Sequence, residues 1–310
     1  MLSRRRFFDS VAAASMALMC PWKALAFGER APSRAAPGDA AIDIAPGTGS
    51  FHFVDRQGDS KPMTIYTYLP KDADASKASI VFVLHGHHRA AREYRDNWSA
   101  HADKYGFMVL APLFDTDQWG EGQYSYASVV GRDGTLRDAS LWSYSVVEHI
   151  FDAVKAATGN ASSRYFLYGF SEGGQFVHRL VLLLPEARYA RAVAGTPGWY
   201  TMPRFDVRFP YGLGASPATE ASLKRTLERD FVLMLGDRDI DRNDPELRKT
   251  KQALAQGANR FERGRAFYKE AEDRAAEWKI PLGWRLQVVP GVAHEPARMS
   301  APAAAVLMGA

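Results

Sequence analysis

Ser171 stands in Gly169-Phe170-Ser171-Glu172-Gly173. The apolar residues Tyr165, Phe166, Leu167 and Tyr168 lead into it. A helical pattern of Phe176, Val177, Leu180, Val181 and Leu184 leaves it and is stopped by Pro185. Strand, sharp turn and helix are the setting of a G-x-S-x-G nucleophile elbow. Glycines flank the serine because a chain that folds back so tightly has no room for neighbouring Cβ atoms. The helix that follows aims its N–H groups and positive dipole end at any negative charge formed there. The chemistry on offer is attack by a hydroxyl on an electrophilic carbon.

Serine is a weak nucleophile at neutral pH and needs a histidine base that a carboxylate orients. Only His178 and His294 follow Ser171. His178 falls inside the helix after the elbow and cannot turn back to the hydroxyl. His294 lies in a loop directly behind the apolar strand Trp284–Val289, and the carboxyl end of a strand is where an open α/β sheet places its site. His294 is therefore the expected base. The carboxylate is open at this point. The strand 231–235 runs into Gly236-Asp237-Arg238-Asp239-Ile240-Asp241, with three aspartates at alternate positions.

The elements that must carry these groups are legible as a parallel sheet with helices between its strands. The run 80–84 is apolar throughout, as in a central strand buried on both faces, and ends in His85-Gly86-His87-His88. Residues 51–68, alternating at 63–68, read as opening antiparallel strands. Tyr94, Trp98, Ala102 and Tyr105 make one helical stripe, and Trp142, Val146, Ile150 and Val154 another. Residues 248–279 read as mostly helical, broken near Gly257 and Gly264; Arg260 and Arg263 are expected to pair with carboxylates there. The three neighbouring histidines do not make a metal site, because no second ligand cluster of matching spacing accompanies them. No metal and no cofactor are expected.

The motifs resemble those of the α/β-hydrolases from about residue 79 onward. Within that superfamily, Leu84-His85-Gly86, Asn97-Trp98, residues 102–107 and Val109-Leu110-Ala111-Pro112 are similar to exported esterases related to poly(3-hydroxybutyrate) depolymerases and feruloyl esterases. The resemblance implies a mostly parallel central sheet with helices on both faces and a short cap insertion. It implies Asp239 as the triad acid, with Asp237 and then Asp241 as fallbacks. The oxyanion hole would combine the backbone N–H groups of Glu172 and His87.

Two connections carry aromatic residues suited to acyl or aryl contact. Residues 114–138 hold Trp119 and Tyr124, and residues 197–226 hold Trp199 and Tyr200 and would overhang the site as a cap. An apolar, partly covered cleft is expected. No second substrate-binding domain is visible, so short acyl esters or soluble oligoesters are the expected substrates rather than insoluble film. The same triad also serves amidases and peptidases, and a non-catalytic binding protein would have to keep all four motifs unused.

Ser3-Arg4-Arg5-Arg6-Phe7-Phe8, a mildly apolar stretch and Ala24-Leu25-Ala26 read as a twin-arginine export leader over residues 1–26. Residues 27–49 read as a disordered lead-in, and residues 50–310 as the catalytic domain. The one cysteine, Cys20, falls in the leader, so the mature chain carries no disulfide. The pI of about 9.1 is misleading. Without residues 1–26, Lys+Arg falls from 39 to 35 and Asp+Glu from 35 to 34, a net charge of +1. Nucleic-acid binding is not expected at that balance, nor membrane insertion, since no other apolar run approaches a span. The expected partners are the ester substrate and the twin-arginine machinery, and the expected location is periplasmic or secreted.

Overall fold

Eight strands form one sheet in the order β1-β2-β4-β3-β5-β6-β7-β8. The computed structural model describes residues 42–58, 61–131 and 133–310. β1 (Gly47–Val54) and β2 (Pro62–Leu69) are antiparallel, and β2 meets β4 (Phe107–Pro112) antiparallel. The remaining neighbours, β3 (Ser79–Leu84), β5 (Tyr165–Phe170), β6 (Tyr189–Gly195), β7 (Phe231–Gly236) and β8 (Trp284–Val289), run parallel. This is the α/β-hydrolase architecture that the motifs imply. The proposed leader at 1–26 and residues 27–41 lie outside the described residues. Residues 47–49 do not belong to a lead-in. β1 begins at Gly47 and pairs with β2 along its full length, and Ile44 before it is buried.

Alternate residues of the central strands face opposite layers. Val81, Val83, Tyr168, Phe170, Val232 and Met234 pack under α1 (Ala91–Tyr105) and α8 (Pro296–Met308). Ile80, Phe82, Leu84, Leu167, Leu233 and Leu235 face the other layer. There they meet α3 (Ser143–Thr158), α4 (Glu172–Leu183), α5 (Glu220–Leu227) and α7 (Arg260–Trp278). A parallel sheet covered on both faces needs continuous apolar strands, which is why these runs lack the alternation seen at the antiparallel edge. The two short helices are α2 (Glu121–Tyr124) and α6 (Lys251–Leu254). α7 runs unbroken through Gly264, against the expected interruption there. No helix among the described residues is long and apolar enough to cross a membrane.

Candidate active site

The carboxyl ends of β3, β5, β7 and β8 converge on Ser171. The serine takes φ 56° and ψ −114°, a left-handed geometry that costs a non-glycine residue on the order of 1–3 kcal/mol. Ser171 is held in it by donating its N–H to Gly195 O at 2.9 Å and accepting from Gln175 N at 2.9 Å. Gly173 permits the close approach that completes the turn. A Cβ there would lie 2.3 Å from Leu84 O, so any side chain would push α4 away from the end of β3.

Ser171 Oγ lies 2.9 Å from His294 Nε2, and His294 Nδ1 lies 2.7 Å from Asp239 Oδ2. A carboxylate beside Nδ1 keeps the proton on that nitrogen and leaves Nε2 to accept the hydroxyl hydrogen. Asp239 is 3 % exposed and His294 19 % at the side chain, so the carboxylate is shielded while the imidazole borders the cleft. The β7 and β8 loops are laced together by Asp237 N–H donating to Val289 O and Arg238 N–H to Val292 O. Gly236 allows this, since a Cβ there would sit 2.3 Å from Val292 O.

The three aspartates separate cleanly. Asp237 Oδ1 accepts from Gly291 N at 2.7 Å and braces the histidine loop. Asp241 Oδ1 accepts from Asn243 N at 2.8 Å and lines the cleft. Asp239 alone of the three meets His294, and its other oxygen faces Arg260, which pairs with carboxylates as expected. Arg260, buried at the start of α7, lies 3.5 Å from Asp239 Oδ1 and 2.5 Å from Asp244 Oδ2. Arg263 instead donates to the carbonyls of Gly257, Gly198 and Arg248.

Glu172 is the first residue of α4, where a helical N–H has no partner within the helix. His87 follows Gly86 in a turn closed by Arg89 N–H donating to Gly86 O, and its ring lines the same cleft as Ser171. Both segments reach the serine. His85, before them, is fully buried, and desolvation holds its imidazole down at about 3. Its neutral ring lies 3.0 Å from Gly86 O through Nδ1 and accepts from Phe114 N–H at Nε2.

The four aromatic residues read as substrate contacts are elsewhere. Trp119, Tyr124, Trp199 and Tyr200 are each 2 % exposed or less. Trp119 packs edge-on against Phe114, Tyr124 against Phe114 and Phe176, and Tyr200 stacks on Phe267. Trp199 lies over the guanidinium of Arg179. A ring of this size gains more from close packing than from bordering water, and the loops fold inward to provide it. The insertion at 197–219 therefore does not wall the Ser171 cleft. That cleft, about 440 Å³, is bounded by residues of 86–94 and 241–246 together with Phe170, His294 and Pro296. Tyr94, Phe170, Pro245 and Pro296 give it an apolar lining, as expected, and its walls also carry Glu93, Asp241, Asp244 and Glu246 and no Lys or Arg. A hollow of about 580 Å³ among Gly120, Ser128 and Arg137 holds none of these groups.

The chain is 39% identical to poly(aspartic acid) hydrolase-1 from Sphingomonas sp. KT-1, over 85% of this chain and 99% of that one, with a TM-score of 0.82. The chain belongs to the α/β-hydrolase family. The hydrolase is also 35% identical to LpqC, a poly(3-hydroxybutyrate) depolymerase from Bordetella parapertussis, over 84% of this chain and 90% of that one, at a TM-score of 0.80. The likeness to depolymerases read from its motifs is thus present; the likeness to a poly(aspartic acid) hydrolase was not anticipated. An S-formylglutathione hydrolase from Agrobacterium tumefaciens, 17% identical over 86% of this chain and 95% of that one at a TM-score of 0.56, shares the fold. No protein-family model and no curated protein matches the chain.

Proposed function

We propose that this hydrolase is a serine esterase that cleaves short acyl esters or soluble oligoesters through an acyl-enzyme on Ser171. The observation that carries the reading is the Ser171–His294–Asp239 relay at a strained elbow. Ser171 Oγ attacks the ester carbon while His294 Nε2 takes its proton. The carbonyl electron pair moves onto oxygen, facing the N–H groups of Glu172 and His87. When the C=O bond re-forms, the alcohol leaves with the proton from His294. Water then attacks the acyl-enzyme by the same route and releases the acid. The test is Ser171→Ala, assayed on p-nitrophenyl acetate and with a fluorophosphonate probe. Labelling of that variant at the parental rate would overturn the assignment.

A second reading, amide hydrolysis, is favoured by the 39% identity to a poly(aspartic acid) hydrolase, whose substrate is a polyamide. Arg260 offsets Asp244 and His88 meets Glu246, so it is Glu93 and Asp241 in the cleft wall that disfavour a polyanion and favour neutral or cationic substrates. Rates on matched p-nitrophenyl esters and anilides separate the two readings. The Arg4-Arg5 pair supports export by the twin-arginine route to the periplasm or beyond. Replacing both arginines by Lys should hold active enzyme in the cytoplasm, and export surviving the change would overturn this part.

A further inference from the structure

One buried ion pair beside the elbow has no part in the proton relay. The Glu172 side chain is 6% exposed and that of Arg89 9%. Glu172 Oε1 accepts from Ser125 Oγ at 2.5 Å and from Arg89 Nη2 at 3.3 Å. Arg89 Nη1 donates to Phe114 O at 3.2 Å, and its guanidinium lies 4.3 Å over the Tyr124 ring. Tyr124 donates its hydroxyl to His85 O at 2.7 Å. The end of β3, the 86–89 turn, the 114–125 segment and the first residue of α4 thus form one closed network. Arg89 takes a left-handed φ of 57° to turn its side chain inward. Glu172 Oε2 has no hydrogen-bond partner and faces His87 Nδ1 at 3.7 Å.

Those contacts join the two residues whose N–H groups would hold the oxyanion. We infer that the Glu172–Arg89 pair is a positioning device that clamps the 86–89 turn to the start of α4 and so fixes the spacing of the His87 and Glu172 donors. Apolar packing could hold the two segments together, but a buried ion pair with forked hydrogen bonds also fixes their register. Register matters here because oxyanion donors stabilise the transition state only if they are already in place. The inference rests on the reading of Ser171 as nucleophile.

Glu172→Gln keeps the shape and removes the charge, and Arg89→Met removes the fork. Each is assayed for kcat and KM on p-nitrophenyl acetate and for affinity to a trifluoromethyl ketone. In that adduct Ser171 Oγ bonds to the carbonyl carbon, its proton passes to His294, and the oxyanion lies between the donors. The expected result is a kcat lower by about ten- to hundredfold with KM within about twofold, and inhibitor affinity falling in parallel. The double variant should lose no more than the worse single one. If Arg89→Met fails to fold, Arg89→Lys, which keeps the charge without the fork, takes its place. A lower Tm with parental kcat and inhibitor affinity would overturn the inference. Ser171→Ala runs beside them. Parental turnover there would overturn the nucleophile reading and this inference with it. An inactive Ser171→Ala with fully active Glu172 and Arg89 variants would overturn the clamp alone.

Discussion

Ser171, just before α4, and Arg179, within it, stand about two turns apart along the helix axis, yet their surroundings are opposite. At the N-terminus of α4 the chain is strained, opens onto a cleft and meets carboxylates and imidazoles. Further along, α4 is closed under loops that carry the aromatic residues. Arg179 is fully buried there, donating to Thr201 Oγ1 and Ser125 O, with Trp199 and Tyr126 over its guanidinium. Each region has a histidine: His294 borders the cleft, whereas His178 is sealed between Gly174 O and Thr201 N. Each has a buried arginine, but Arg260 faces two carboxylates and Arg179 faces neutral groups. The contrast separates chemistry from packing. Polar groups at strand ends stay reachable, and large rings in long loops are spent on closing the core.

Changes at the cleft should therefore alter rate with little effect on stability, and changes under the loops the reverse. The largest expected effect is that of Ser171→Ala, which should lower kcat by about 10⁶-fold while Tm holds, because alanine keeps the Cβ and the strained backbone. Asp239→Asn should lower kcat by about 10⁴-fold by leaving His294 in the wrong tautomer. Asp237→Asn and Asp241→Asn should each cost less than about tenfold, and steady-state kinetics on one ester would show a reversed ranking at once.

On the packing side, Arg179→Met should destabilise by about 3 kcal/mol through loss of its buried hydrogen bonds, with kcat of the folded enzyme retained. Denaturant unfolding beside activity measures both, and a selective loss of kcat would break the division. Acid should also act on the buried region. His85 is held down at about 3 by desolvation, and His178 well below the usual histidine value by burial and the adjacent Arg179. Both stay neutral in the fold and take protons when unfolded, so stability is full above about pH 6.5 and drains as pH falls toward 3. Each contributes a slope of up to about 1.4 kcal/mol per pH unit, and His178→Gln should remove its share. An unchanged acid slope in that variant would contradict the burial argument.

The smallest effect sharpens the comparison most. Tyr124→Phe removes one hydrogen bond and should cost about 1 kcal/mol of stability with KM unchanged. A raised KM would return that ring to the substrate. By contrast, Glu93→Gln with Asp241→Asn should raise the rate on anionic esters a few-fold at low salt, an effect that added salt should erase.

Much of this site was legible from residue order. A serine between glycines after an apolar strand, and a lone late histidine after another, are local patterns with local causes, and the strands that carry them follow from continuous apolar runs. Asp239 required the family resemblance, because three aspartates at alternate positions are equivalent until a loop is folded. Local pattern failed for the aromatic residues, since the composition of a loop does not say whether its rings turn outward or in.

The sequence by itself determined the parallel sheet, the elbow and the histidine that must serve it, because each depends on neighbours a few residues away. Only the tertiary structure decided which aspartate meets His294 and that Arg260, 21 residues from Asp239, backs it. It also decided that Arg89 reaches Glu172 across 83 residues and that carboxylates, not the loop aromatics Trp119, Tyr124, Trp199 and Tyr200, stand in the cleft wall. Those outcomes depend on which distant segments the sheet order brings side by side, and on competition among all large side chains for one buried volume. No local spacing encodes either.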